Sequence, residues 1–525
     1  MRDLKHDSHF GEKPRPTFGT PPLAKGRGWA WGLFPLLAIL FLSACATQDD
    51  ADVLFSDTEM AIIKTLVYTD PPDDPTNNYD QSEAAATLGQ KFFWDRQFSG
   101  SIVITGNRTT TPSDTATDFS VGDPKRVSCA SCHNPDFGWA DNATKPNDVS
   151  LGANFTSRNS PTVLNSAHNT YSLWDGGVDS LWAVARPAIE GNPHNFGRLG
   201  VAYVICRSLV ANQGDYRSAY DNVFGSGSTP ETTALCGTIN STLCGGFSCA
   251  PRSENSFGKG YNSVTGAIIS ATDGLTYGSY GNIASATNRA YVDTMFANFG
   301  KAIAAYERKI VSKNSAFDQW VNGNESAMTA AQKRGLKVFI GKGNCIRCHS
   351  GTNFSDGKFH NLGVPQVGGL SGSNDQGRFD GISKLKSATD NGVFNTTTSL
   401  DDSGAATDRV SSVTATSADI GAFKTPTLRS VNKTPPYFHN GTFASLWDVV
   451  NFYNFAGNGG NFPGTKDTIL TTRRMTNEEM EDLVSFLKAL EGEALSTSLT
   501  TNTSPTAACA NLNDTACNAL PAYAW

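Results

Sequence analysis

Two five-residue stretches share one pattern, Cys129-Ala130-Ser131-Cys132-His133 and Cys345-Ile346-Arg347-Cys348-His349. Two thiols separated by two residues can serve as a redox dithiol or as half a zinc site. They can also form thioethers with the two vinyl groups of one haem, whose iron the adjacent histidine then binds. Zinc needs four ligands, and neither unit is followed by a second CxxC or a histidine pair at suitable spacing. A thioredoxin-like dithiol calls for a βαβ context, which is missing. The pattern reads as two sites for covalently bound haem c, with His133 and His349 as proximal iron ligands.

The other cysteines fit an exported chain. Of 11 cysteines, four belong to the CxxCH units. Cys45 closes Leu42-Ser43-Ala44-Cys45, which resembles a bacterial lipobox and follows an apolar run, Trp29 to Leu42. That run is too short for an ordinary bilayer span and has the length of a signal-peptide core. Residues 1–45 read as a signal peptide with lipobox, or else as a plain secretory signal cut near Ala46. The expected location is the periplasmic side of a bacterial membrane, reached through a lipid anchor, or otherwise the periplasm. Cys206, Cys236, Cys244, Cys249, Cys509 and Cys517 form an even remainder, enough for up to three disulfides in an oxidising compartment. Cys509–Cys517 would close a short loop; the other pairings stay open.

The whole chain of 525 residues has a formal charge of −7, and loss of residues 1–44 leaves 36 basic against 46 acidic side chains, a charge of −10. Nucleic-acid phosphates need clustered Lys and Arg. That class of partner is excluded, and a basic carrier or a neutral molecule suits the surface better.

The elements that must position these sites are helices. Ser56 with Glu59, and Thr476 with Glu479, have capping-box spacing ahead of apolar-periodic segments. Helices are predicted in EAAATLGQKFFW, over Phe296–Val311, over Thr329–Gly341, in SLWDVVNFYN and over Thr476–Leu490. Period-two patterns are scarce, so the chain reads as mostly α with long loops. Two Gly/Ser/Thr-rich stretches, near 225–281 and 363–422, look like insertions, and 496–525 reads as a polar tail. The CxxCH units lie 216 residues apart, each after a helix, as two similar modules would place them.

Around these sites the stretches LGQKFFWDRQFSG, SCASCHNPDFGWADN, RNSPTVLNSAHNTYSLWDGG, CIRCHSGTNFSDGKFHNLGV and FKTPTLRSVNKTPPYFHNGTFASLWDVVNFYN resemble the dihaem cytochrome c peroxidase family, which includes MauG. The resemblance runs from about Leu54 to Glu491, apart from the two insertions. It implies two cytochrome c-like haem domains, an N-terminal peroxidatic one over 46–310 and a C-terminal electron-transfer one over 311–495. It also implies a calcium ion between them. The activity implied is reduction of hydrogen peroxide with electrons from a small c-type cytochrome or similar donor. Two alternatives stay open: oxidation of a side chain on a protein substrate, as in MauG, and non-enzymatic electron transfer. Family members are often homodimers.

Residue by residue, the family's distal ligand to the second iron falls fourteen positions after the histidine of its YFHDG motif, here Tyr453 after His439. Bacterial peroxidases commonly have methionine there, and a tyrosine is similar to MauG. Trp174 matches the tryptophan between the haems. Asn159 matches a side-chain calcium ligand, and Thr434 and Pro436 match backbone carbonyl ligands. The sequence departs from the family at the peroxide site. The acid/base glutamate of NPxEMG is replaced by Asn195 in Asn192-Pro193-His194-Asn195-Phe196-Gly197, which leaves His194 and Glu190 as candidates to move the proton. The loop 149–157 contains no histidine to block the first iron. His168 and His360 suit packing or haem-propionate hydrogen bonds.

Overall fold

Two glycine-bearing helix crossings organise the molecule. In the first, α2 (Glu83–Trp94) packs against the later α6 (Ala286–Glu307). A Cβ on Gly89 would lie 1.9 Å from the carbonyl oxygen of Ala302. In the second, α8 (Ala330–Ile340) packs against α11 (Asn477–Lys488), and a Cβ on Gly335 would lie 1.9 Å from the carbonyl oxygen of Asp482. Only glycine lets backbones approach this closely. Four residues beyond each glycine, Phe93 and Phe339 are fully buried. The same packing device thus appears ahead of each CxxCH unit.

The computed structural model describes residues 55–96, 127–141, 150, 156, 158–190, 216–225, 286–366, 374–387, 393–404, 406–457 and 460–504. The leader with Cys45, the six further cysteines and nearly all of the stretch 225–281 lie outside the described residues. Within them the remaining helices are α1 (Asp57–Lys64), α3 (Cys129–Cys132), α4 (Ala185–Glu190), α5 (Tyr216–Phe224), α7 (Ala316–Val321), α9 (Arg378–Lys386), α10 (Leu446–Asn454) and α12 (Thr497–Thr500). The sheet content is one antiparallel pair, β1 (Phe359–His360) with β2 (Phe423–Lys424). The molecule is mostly helical.

The caps fall where the side chains predict. Ser56–Glu59, Thr329–Gln332 and Thr476–Glu479 all form reciprocal capping boxes. The predicted helix over Phe296–Val311 instead spans Ala286–Glu307, because the chain turns at Arg308 to place Ile310 in the core.

Two hydrophobic cores result. The first gathers Phe92, Phe93, Trp139, Trp182, Phe296, Phe299 and Tyr306; the second gathers Phe317, Leu336, Phe339, Phe354, Leu483 and Phe486. Phe394, from the polar stretch 363–422, is 2% exposed and belongs to the first core. The same stretch is tied to the segments around the first core by Thr396, which donates to Asp179 (2.7 Å), and by the Lys301–Asp402 pair (2.6 Å). The first residues of the polar tail return to the first core as well: Gln90 donates to the carbonyls of Ser498 (2.7 Å) and Thr501 (2.9 Å). Beneath the second core, the fully buried Arg429 donates to Asp318 (2.8 and 3.2 Å), Thr352 O and Leu66 O, so both buried charges have partners.

Candidate haem centres and the bridge between them

The two CxxCH units adopt one local geometry. α3 is a single helical turn, which brings Cys129 and Cys132 to the same side, and the His133 amide donates to Cys129 O at 2.9 Å. In the second unit Cys345–Arg347 forms a 3-10 turn after Asn344 in the left-handed region (φ 56°), and the His349 amide donates to Cys345 O at 2.9 Å. None of the four cysteines is in a disulfide. Burial pushes Cys129 far up and Cys345 up to about 12, so neither is poised as a thiolate redox centre. Burial lowers His133 to about 4 and also lowers His349. Both imidazoles are therefore neutral and keep a lone pair for a metal. At His349 the tautomer is fixed: Nδ1–H donates to Phe354 O at 2.9 Å, leaving Nε2 as the free donor atom.

Each unit opens into its own cavity. That of the first, ≈ 240 Å³, is lined by Cys129, Cys132, His133, Trp174, Pro187 and Glu307. That of the second, ≈ 160 Å³, is lined by Cys345, Cys348, His349, His360, His439 and Tyr453. Tyr453 comes from α10 and packs against Phe438 (6.1 Å) and Phe452 (5.7 Å), so it is both a packed aromatic and a cavity-lining one. Burial, with the Cys348 and Cys345 thiols nearby, drives its hydroxyl far above the ordinary tyrosine range. A phenolate here requires an adjacent cation, the charge that an iron held by His349 carries.

Trp174 and Lys424 line both cavities and a third of ≈ 90 Å³ between them. Trp174 is pinned at two points: its indole N–H donates to Asn159 O (2.8 Å), and its carbonyl accepts from the Lys424 amide (2.8 Å). Lys424 is lowered to about 8 by burial, and among the described residues its ammonium has no hydrogen-bond or ion-pair partner. Asn159, Thr434 and Pro436 share the third cavity. Asn159 Nδ2 donates to Pro436 O (2.8 Å), whereas its buried Oδ1 has no hydrogen-bond partner. An orphaned amide oxygen beside backbone carbonyls is the donor chemistry a calcium ion takes.

Charged groups outside the two motifs complete the sites. Arg158 pairs with Asp175 (2.7 Å) and with both oxygens of Asp375 (2.6 and 2.8 Å), and Lys384 reaches Asp175 at 2.9 Å. Arg158, Asp175 and Lys384 all face the first cavity. Glu307 faces it too; burial raises its carboxyl to about 8 against a weak hydrogen bond from Ser166. In the second cavity His360 sits between Asp467 (2.7 Å) and Asp356 (3.0 Å), which with Cys348 raise it to about 11. His168 lines none of the three cavities; it packs edge-on to Tyr68 (5.9 Å), and burial lowers it to about 4. Of the candidate proton carriers, Glu190 ends α4, and His194 and Asn195 lie outside the described residues.

The structure thus brings Trp174 to both centres and Tyr453 to the second. It adds four residues that the sequence reading did not single out: Arg158, Glu307, Lys424 and His439. A trace of Glu307 was legible, as a carboxylate closing the apolar helix AIAAYE. His439 was visible only as a landmark for counting to Tyr453. Its buried ring stacks on Phe423 (3.6 Å), meets Trp174 edge-on (6.5 Å), and has an unpartnered Nε2.

Two Cys-x-x-Cys pairs, each beside a neutral histidine in its own cavity, define a dihaem c-type cytochrome. Comparison with known proteins gives the family. The model of the di-haem cytochrome c peroxidase family matches residues 83–241 and 277–326. "Cytochrome-c peroxidase IdrP1" of Denitromonas iodatirespirans is 31% identical over 423 residues, covering 79% of this chain and 83% of that protein. "Methylamine utilization protein MauG" of Methylorubrum extorquens is 30% identical over 367 residues, 70% of this chain and 73% of that one. The chain belongs to the di-haem cytochrome c peroxidase family. Its fold is similar to that of a MauG-like protein associated with microbial copper homeostasis, with a TM-score of 0.51 over 83% of this chain and 97% of that one at 20% identity.

Proposed function

We propose that the protein reduces hydrogen peroxide at the centre held by Cys129, Cys132 and His133. Electrons from a c-type cytochrome or similar donor enter at the centre held by Cys345, Cys348, His349 and Tyr453. The observation that carries this reading is Trp174, which lines both cavities, with its indole N–H bonded to Asn159 O and its backbone carbonyl to the Lys424 amide. Haem c, when bound at each site, supplies the redox-active iron. The remaining work falls to the chain's own residues. His133 and His349, kept neutral by burial, each donate a lone pair. Trp174, fixed by Asn159 and Lys424, offers a polarisable ring for electrons passing between the sites. A proton must move from the near to the far peroxide oxygen, and Glu190 or His194 is placed in sequence to carry it. Asn159 Oδ1, with the carbonyls of Thr434 and Pro436, would hold calcium and so fix the Asn159 backbone to which Trp174 donates.

In this reading 46–310 and 311–495 are two cytochrome c-like haem domains of an exported, lipid-anchored, periplasmic protein that forms a homodimer. Tyr453 in the second cavity favours one other substrate: a side chain of a partner protein, because an anionic oxygen ligand stabilises oxidised iron more than a thioether does.

The purified protein should contain two haems per chain, and peroxide should oxidise a reduced c-type cytochrome in its presence. Tyr453→Met should raise the potential of one haem by ~0.1 V or more, within the roughly 0.8 V range that axial ligands set. An unshifted potential would remove Tyr453 from the iron. A haem spectrum that does not respond to peroxide would leave only electron transfer.

A further inference from the structure

At the first centre, His133 sits against a second group of aromatic rings. Phe93 lies 6.5 Å from the His133 ring and 6.0 Å from Trp139. Tyr306 lies 5.3 Å from Phe93 and 6.3 Å from Trp139. The next link is a hydrogen bond: Trp94 Nε1–H donates to Tyr306 Oη at 3.1 Å. Trp139 (2%) and Tyr306 (0%) are buried, whereas Trp94 is only partly so. Through Phe93, two indoles and a phenol thus form a file of contacts from His133 to the partly exposed Trp94.

Chemistry separates the members of this file. Oxidising a tyrosine requires loss of its proton. The Tyr306 hydroxyl donates to a backbone carbonyl, Leu499 O (2.5 Å), which is too weak a base to take it. Burial also holds that hydroxyl far above its usual range. An indole can lose an electron and keep its N–H. Trp139 and Trp94 are therefore the stations, with Phe93 and Tyr306 as the closely packed rings between them.

We propose that Trp139 and Trp94 form a hole-escape route, which carries excess oxidising equivalents from the first centre to Trp94 when no donor fills them. The inference rests on the peroxidase reading. In each step Trp94 gives one electron inward through Trp139, and the peroxide-oxidised centre is reduced by one. Two such losses, with uptake of one water and release of two protons, leave a hydroxylated Trp94. Summed with peroxide reduction, tryptophan and hydrogen peroxide give hydroxytryptophan and water. The route makes Trp94 a sacrificial site, sparing the haem and the bridge at Trp174.

The test is peptide mass spectrometry of the holoprotein after excess hydrogen peroxide without donor, with the haem spectrum recorded in parallel. Trp447, on α10 and also only partly buried, serves as the control for direct attack from solution. The expected result is one added oxygen on Trp94 and none on Trp447. In Trp94→Phe that label should be lost, haem bleaching should be faster, and the organic radical signal in electron paramagnetic resonance should weaken. Tyr306→Phe, which keeps the ring, should retain the Trp94 label. Equal labelling of Trp94 and Trp447, labelling confined to Trp174, or an unlabelled Trp94 while the haem spectrum responds to peroxide would each overturn the route alone. A haem spectrum indifferent to peroxide would overturn the route together with the peroxidase reading.

Discussion

Replacing Arg158 by Met should destabilise the protein strongly, and the loss should depend on pH. The Arg158 side chain is 11% exposed, and its partners Asp175 and Asp375 are 1% and 7% exposed. Burial alone would raise the Asp175 carboxyl, but Arg158 and Lys384 overcome it and hold it far below the usual range. Asp375 behaves likewise, burial being outweighed by Arg158. Methionine fills the volume and removes the charge, leaving Asp375 with a backbone hydrogen bond from Gly377 but no ion pair, and Asp175 with Lys384, itself 45% exposed, as its one ion-pair partner among the described residues. Breaking a buried pair from one side costs about 3–5 kcal/mol.

The sign with pH follows from the two carboxyls. In the wild type both have depressed folded pKa values, so their contribution is complete above about pH 4, the unfolded value, and is lost only as pH falls through the lower folded values. In the variant, burial dominates, the carboxyls protonate more readily, and the penalty fades on acidification. Urea unfolding of the holoprotein, followed by fluorescence and the haem band, should show a gap of about 3–5 kcal/mol at pH 7 that narrows towards pH 4. A gap below about 1 kcal/mol, or one unchanged by pH, would show that the network behaves as a surface ion pair and refute the reasoning.

Glu307→Gln tests the carboxyl that burial raises from its ordinary value of 4.5 to about 8. A group raised in the fold contributes fully below its unfolded pKa and loses that contribution as pH rises through the folded value. The wild type should therefore lose stability between about pH 4.5 and 8 at a slope that the glutamine variant lacks; parallel curves would place the charge of Glu307 elsewhere. Gly335→Ala forces a methyl to within 1.9 Å of Asp482 O and should spread α8 from α11, costing about 1–3 kcal/mol or more by unfolding. The haem centre at Cys345 should be perturbed with it, and an unaffected haem band with wild-type stability would show that the crossing has slack.

The sequence by itself determined the chemistry that covalent spacing dictates. Cys-x-x-Cys-His is local, so the two candidate haem sites were legible twice over, as were the capping boxes at Ser56 and Thr476. That Tyr453 and Trp174 line these cavities accords with the resemblance, because their distance from a motif in sequence is fixed by intervening turns. Tertiary structure alone decided which charges meet. Arg158 and Asp375 are 217 positions apart, and their geometry appears in no local pattern. The polar stretch 363–422 looked separable because its own apolar residues are few. Phe394 and Thr396 still anchor it to the first core, since burial depends on what covers a residue rather than on its neighbours in sequence. Lys424 reads as an ordinary strand lysine until the fold leaves its ammonium between two cavities, where desolvation and not residue type sets its charge.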